Sequence, residues 1–162
     1  MIFIGVISSK RKFYTLNNLL KEKINIKEAK LIKIDNKSIK NLKSVKFEIL
    51  IIDSLEKITD EIFLINSICN NLKYLIINSD IELDNNLLVG DNTRIITCGL
   101  KQKATVTFSS VTDERVLISV QKSIRGYTKS IEVGEYSEKI NIGQRTNLNE
   151  ILLAFIIEKL LK

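Results

Sequence analysis

The chain predicts an α/β fold, a mainly parallel sheet flanked by helices with a small antiparallel sheet towards its C-terminal end. Three observations lead there. Continuous apolar runs at residues 2–7 (IFIGVI), 47–52 (FEILII) and 75–78 have the composition of parallel strands covered on both faces. Between them lie segments whose apolar residues recur at helical spacing, such as Phe13, Leu16, Leu19 and Leu20. After Gly99 the pattern changes to alternation, at 104–110 and 116–120, across the polar turn Thr112, Asp113 and Glu114, which is the signature of a half-buried hairpin.

The first strand leads through Ser8 and Ser9 into a helix that opens on Lys10, Arg11 and Lys12 and closes with charge at 21–23. Strand, short polar loop and helix start make the setting in which backbone N–H groups hold a phosphate. Residues 30–34 form a second strand, and the lysine-rich stretch 36–44 connects it to the third, which ends on Asp53 and Ser54. A carboxylate at the C-terminal end of a parallel strand sits where doubly wound folds place ligand chemistry, and it equally suits a cap for the segment that follows. Residues 59–72 predict a helix with Thr59 as cap, Asp60 and Glu61 in the first turn, and Ile62, Ile65, Cys69 and Leu72 along one face.

A fourth strand at 75–78 and a fifth at 94–98 complete the parallel part. Gly126, Gly134 and Gly143 then separate short alternating pieces, 131–133 and 139–142 among them, as in an antiparallel meander. The last helix, 146–161, starts at Asn147 and Glu150, a pair with capping-box spacing. Its apolar residues, from Ile151, Leu152 and Leu153 through Phe155, Ile156 and Ile157 to Leu160 and Leu161, spread beyond one stripe of about 100°. Such a helix needs cover on more than one side, either inside the domain or from a partner.

Composition narrows the chemistry. The 162 residues suit one domain, and 44% hydrophobic with 27% charged residues excludes a disordered chain. The absence of histidine closes the Ser-His, Cys-His and common zinc mechanisms. Cys69 and Cys98 are too few and too far apart for a metal knuckle or a disulfide framework, and read as packing thiols. The bias towards Ile, Asn and Lys is that of an A,T-rich bacterial genome, so lysine abundance is not in itself functional. The apolar run 1–7 precedes the basic cluster, the reverse of a secretory signal, and no apolar run reaches about 20 residues. A cytoplasmic protein without membrane insertion is expected. Residues 10–46 hold twelve Lys or Arg against three acids. That asymmetry admits an acidic partner such as nucleic acid, although only Phe13 and Tyr14 interleave it, which fits a solvated basic edge.

Four stretches carry a family resemblance. RIITCGL followed by KATVT, residues 94–100 and 103–107, is similar to the passage of the Mur ligase central domain where a strand ends in glycine and an antiparallel hairpin begins. At the first loop that family carries I-G-V-T-G-T-x-G-K-T-T-T. The chain carries Ile4, Gly5, Val6, Ile7, Ser8, Ser9, Lys10, Arg11, Lys12, Phe13, Tyr14 and Thr15 in the same register. The resemblance implies a degenerate phosphate-binding loop: both loop glycines are replaced, by Ser8 and Arg11, the lysine persists as Lys12, and Phe13 stands where the magnesium-binding threonine would be. Asp53 becomes the counterpart of a metal-binding glutamate, and Asn78, Ser79 and Asp80 resemble the words v-l-N-x-D. Within GQRTNLNEILLA, residues 143–154, Asn149 matches an asparagine that contacts adenine; helix initiation is the alternative role for it, as a solvated helix start is for Lys12.

The resemblance covers a shortened central domain only, without the insertion that carries a histidine ligand and a modified lysine. It implies a single domain, 1–162, with a Rossmann-like parallel part at 1–100, an antiparallel part at 104–142 and the helix at 146–161. Three functions are expected in turn: a non-catalytic Mur-ligase-like protein acting through a protein partner or self-association; a nucleotide- or anion-binding regulatory module using Ser8, Ser9, Arg11, Lys12, Asp53 and Asn149; and a nucleic-acid-binding protein using the basic first third. No enzyme activity and no resident cofactor or metal are expected.

Overall fold

A computed structural model describes residues 1–25, 27–54, 62–82 and 87–162, without the side chains of residues 142, 145 and 146. Its main sheet has eight strands: β1 (Ile2–Ile7), β2 (Ala29–Lys33), β3 (Ile49–Ile52), β4 (Tyr74–Asn78), β5 (Arg94–Cys98), β6 (Val106–Val111), β7 (Arg115–Val120) and, after a small hairpin of β8 (Ile124–Arg125) and β9 (Ser130–Ile131), β10 (Gly134–Lys139). The order across the sheet is β10-β7-β6-β5-β4-β3-β1-β2. From β2 to β6 the pairing is parallel, and from β6 to β10 it is antiparallel. The helices are α1 (Lys10–Lys23), α2 (Ile62–Cys69) and α3 (Leu148–Leu161). Among the described residues no helix is long and apolar enough to cross a membrane.

Alternation of side chains along the parallel strands sorts the core into two layers. Ile4, Val6, Ile49, Ile51, Tyr74, Ile76, Ile96 and Cys98 pack with Leu16 and Leu20 of α1 and with α3. Ile7, Leu50, Ile52, Leu75 and Ile77 face the other way, towards Ile65 and Cys69 of α2. Gly5 lies where β1 is hemmed in on that second face: a β-carbon there would come 2.7 Å from Ile34 and 3.0 Å from Leu50.

The expected antiparallel part is continuous with the main sheet and not a sheet of its own. Strands β6, β7 and β10 extend the parallel strands, and the separate antiparallel sheet is the two-stranded β8–β9 hairpin alone. Only seven residues, 99–105, connect β5 to its parallel neighbour β6, far short of a crossover helix. The connection is possible because β6 begins where β5 ends and meets it through the single bridge Cys98–Val106. Gly99 makes the turn with φ +152°, where a β-carbon would lie 2.7 Å from Asp80 Oδ2, the oxygen that accepts from the Leu100 amide.

The helix expected at 59–72 is described from Ile62 to Cys69; its expected cap and first turn, Thr59, Asp60 and Glu61, lie outside the described residues. The last helix begins at Leu148, preceded by a 3-10 turn, Ile142–Asn147. The expected capping pair is corrected too. Asn147 precedes α3 without a side-chain capping bond, because Glu150 turns inwards; it is Asn141 whose amide donates to Gln144 Oε1, 2.9 Å, at the start of the 3-10 turn.

Cover for α3 comes from inside the domain on every side. Ile151, Leu152, Leu153, Phe155, Ile156, Ile157 and Leu160 are all buried and Leu161 is partly so. α1 lies alongside it, and the antiparallel strands bring Val116, Ile118 and Val120 into the same core, with the Tyr136 ring 5.3 Å from that of Phe155. The β8–β9 hairpin closes its C-terminal end, where the Tyr127 amide donates to Leu160 O at 3.0 Å and satisfies an end-of-helix carbonyl. This helix therefore presents no apolar face to a partner. Phe155→Ala should cost about 3–5 kcal/mol, a large share of a domain's stability; a denaturant midpoint unchanged in that variant would contradict the burial of this ring.

Candidate functional site

In the order β2-β1-β3-β4-β5 the chain leaves β1 towards one edge of the sheet and continues from β3 towards the other, so the topological switch point lies between the C-terminal ends of β1 and β3. Ser8 and Ser9 follow β1 there, and Asp53 and Ser54 follow β3. The two ends are tied together. The Asp53 and Ser54 amides both donate to Ile7 O, at 3.0 and 3.3 Å, and the Ser9 amide donates to Ser54 Oγ at 3.1 Å. Ser9 caps α1, its Oγ accepting from the Lys12 amide at 3.3 Å.

The first turn of α1 holds Lys10, Arg11 and Lys12 and no acid. Positive side chains at the positive end of a helix dipole are unfavourable, by about 0.3–1 kcal/mol each at a surface. A negative group is needed nearby, and the fold supplies one. Asp53 is 1% exposed, and its Oδ1 accepts from Lys12 Nζ at 3.4 Å and from Asn78 Nδ2 at 3.0 Å. Asn78, also buried, is oriented in turn by the Asp80 amide, which donates to its Oδ1 at 2.9 Å.

A second carboxyl shares this interior. Glu150, in the first turn of α3, is 3% exposed. Burial raises its pKa; its own amide acts the other way, Asp53 raises it further by charge and by a shared hydrogen bond, and Lys12 opposes. Its Oε1 and the neighbouring Asn149 Oδ1 are buried without a hydrogen-bond partner. Both residues line an open cleft of about 370 Å³ together with Ser9, Arg11, Lys12 and Leu100.

The structure thus brings Ser9, Arg11, Lys12 and Asn149 to one cleft, with Asp53 beneath it on Lys12. Ser8 stands apart: it is buried behind the loop, and its hydroxyl donates to Ser9 O at 3.2 Å. Phe13 packs against the core beside α3. Sequence reasoning missed Glu150 and the role of Asn78. The available signal for Glu150 was a lone acid at the head of an otherwise apolar helix, which reads as a cap until the fold shows which way it turns. Among the described residues no group of three or more acidic or cysteine side chains could hold a metal ion. The two thiols are buried: Cys69 is pushed up to about 12 by burial, and Cys98 is raised by burial and by the charges of Asp53 and Asp80, so neither is a nucleophile near neutral pH. No protein-family model matches the chain, and no curated protein matches it either.

The raised pKa of Glu150 has a signed consequence. Its stabilising contribution is complete below the unfolded carboxyl value of about 4.3 and is lost as pH rises through the higher folded value. Glu150→Gln cannot ionise, so it should melt above the parent protein at pH 7 to 8, with the difference closing towards pH 4. Thermal denaturation across that range checks this; a difference that does not vary with pH would show that folding does not raise the Glu150 pKa.

Proposed function

We propose that this chain is a non-catalytic binding protein, a degenerate relative of the Mur ligase central domain, whose cleft at the switch point takes a small anionic ligand such as a nucleotide without turning it over. The observation that carries this reading is the pairing of Lys12 with Asp53. The cation on the register of the family's phosphate-binding lysine is engaged by a buried carboxylate, and the Ser9 amide is engaged by Ser54. Groups that phosphoryl transfer would need for a substrate serve the fold itself, and Phe13 brings only carbon to the position of a magnesium ligand.

What remains favours weak binding of an anion that also carries donors. Three cations surround the start of α1, Arg11 is exposed at the cleft, and the unpartnered oxygens of Asn149 and Glu150 call for N–H or O–H groups. A nucleotide offers phosphates for the first and a base and sugar for the second. The nucleic-acid reading draws no comparable support, since the lysines of 10–46 are distributed over α1, β2 and the 3-10 turn Ile39–Leu42 and its flanks.

Thermal-shift measurements at low salt test the proposal. Millimolar ATP should raise the melting temperature through linkage, with the shift reduced by salt and by Arg11→Ala, while a duplex oligonucleotide has a smaller effect. Phosphate release with Mg²⁺ should stay at background. No shift with ATP, or release above background that Lys12→Ala abolishes, would overturn the proposal.

A further inference from the structure

Strand β5 is inside the sheet by order but is an edge along most of its length. All five of its residues pair with β4, whereas only Cys98 is bridged to β6. The Arg94 amide donates to Lys73 O and Cys98 O accepts from the Ser79 amide, so the backbone groups of Arg94, Ile96 and Cys98 face β4. Those of Ile95 and Thr97 face the other way. No hydrogen bond joins the Ile95 amide or carbonyl to any described residue, and its side chain is 53% exposed in the middle of an eight-stranded sheet.

Opposite this edge runs the segment 122–125 that leaves β7, and between the two lies a slot of about 410 Å³. Both walls are fixed. At one end the Gln121 amide donates to Thr105 O at 2.9 Å, and the Thr105 amide donates to Thr97 Oγ1 at 2.9 Å. At the other, Tyr74 Oη donates to Arg125 O at 2.7 Å. Arg94, Lys122 and Arg125 bring positive charge to the slot, which no acid lines.

We propose that this slot is a docking site for an extended segment of another protein, one in which acidic residues alternate with β-branched apolar ones, added as a strand to the open edge of β5. The unpaired Ile95 amide and carbonyl supply main-chain hydrogen bonds, as in other cases of strand addition. Alternate side chains of the incoming strand fall on opposite faces of the sheet, so one set meets the Arg94 guanidinium and the other rests on Ile95. Positive charge along the rim selects an acidic segment and speeds its approach. Two copies of this chain cannot pair β5 to β5, because segment 122–125 stands in front of each β5 edge and leaves room only for a separate strand. The slot lies apart from the cleft of α1 and α3 and shares no lining residue with it.

The test is a titration of the isotopically labelled protein, followed by amide NMR, with the peptide acetyl-Glu-Val-Glu-Val-Glu-amide. Saturable shifts should centre on Ile95, Thr97 and Ser123. The same peptide N-methylated at alternate residues, and its Lys-Val counterpart, should give none. Lys122→Glu, a substitution at an exposed site, should weaken binding by about tenfold. Absence of saturable shifts at millimolar peptide, equal binding of the methylated or basic peptide, or shifts centred on Arg11 and Asn149 would each overturn the proposal. Preferential binding of a single-stranded oligonucleotide at the slot would do so as well, since that would make it a polyanion site with no use for the β5 backbone.

Discussion

Burial of α3 on all sides is the constraint to which the rest of the molecule answers. A helix of fourteen residues with only Glu150, Glu158, Lys159 and Asn149 as polar side chains cannot rest on a sheet by one stripe. It is enclosed by α1, by the parallel strands beneath, by the antiparallel strands curling past it and by the β8–β9 hairpin at its end. The short link 99–105 belongs to this arrangement: with no room for a crossover helix, the chain passes from parallel to antiparallel pairing at the point where β6 becomes part of the wall around α3. Because β6 meets β5 only at Cys98, the rest of the β5 edge is left open.

The switch point shows what an α/β sheet does with its ligand corner when the ligand groups are engaged internally. Helix-start amides and cations normally wait there for an anion. Here Asp53, held by Asn78, brings the negative charge from within and draws Lys12 to it. Removing either member of such a pair would leave a charge without its partner, and for a carboxylate this deeply buried the penalty is larger than the gain from the pair. Lys12 is thereby bound to stability as well as to any ligand, which makes exposed Arg11 the cleaner probe of binding.

The parallel strands were legible because continuous apolar runs have one common explanation, burial on both faces, and β1, β3, β4 and β5 fall where those runs are. The hairpin of β6 and β7 was legible from alternation around Thr112, Asp113 and Glu114. That β7 and β10 join the main sheet was not, since alternation gives the face a residue points to and says nothing of which strand lies beside it. The strand at 134–139 was missed for a related reason: Gly134, Glu135, Ser137 and Lys139 are exposed residues of an edge strand, without an apolar run to mark them. Gathering Ser9, Arg11, Lys12 and Asn149 at one cleft needed only the expected loop and the start of the last helix. The direction of Glu150 needed the packing of α3, which no local spacing encodes.

Glu150 joins these two parts of the structure. Its position in the first turn of α3 is fixed by the burial of Ile151, Leu152 and Leu153 after it, so it cannot rotate to solvent without exposing them. Burial and the neighbouring Asp53 raise its pKa, which favours the neutral carboxyl, while its own amide and Lys12 act the other way. Core packing therefore biases Glu150 towards its neutral form, and any group that bonds Glu150 acts on the helix that the whole domain encloses. On the proposed reading, a ligand that brings a donor to the unpartnered Glu150 oxygen relieves a deficit that the apolar surroundings of α3 impose, and cleft and core are coupled through that one side chain.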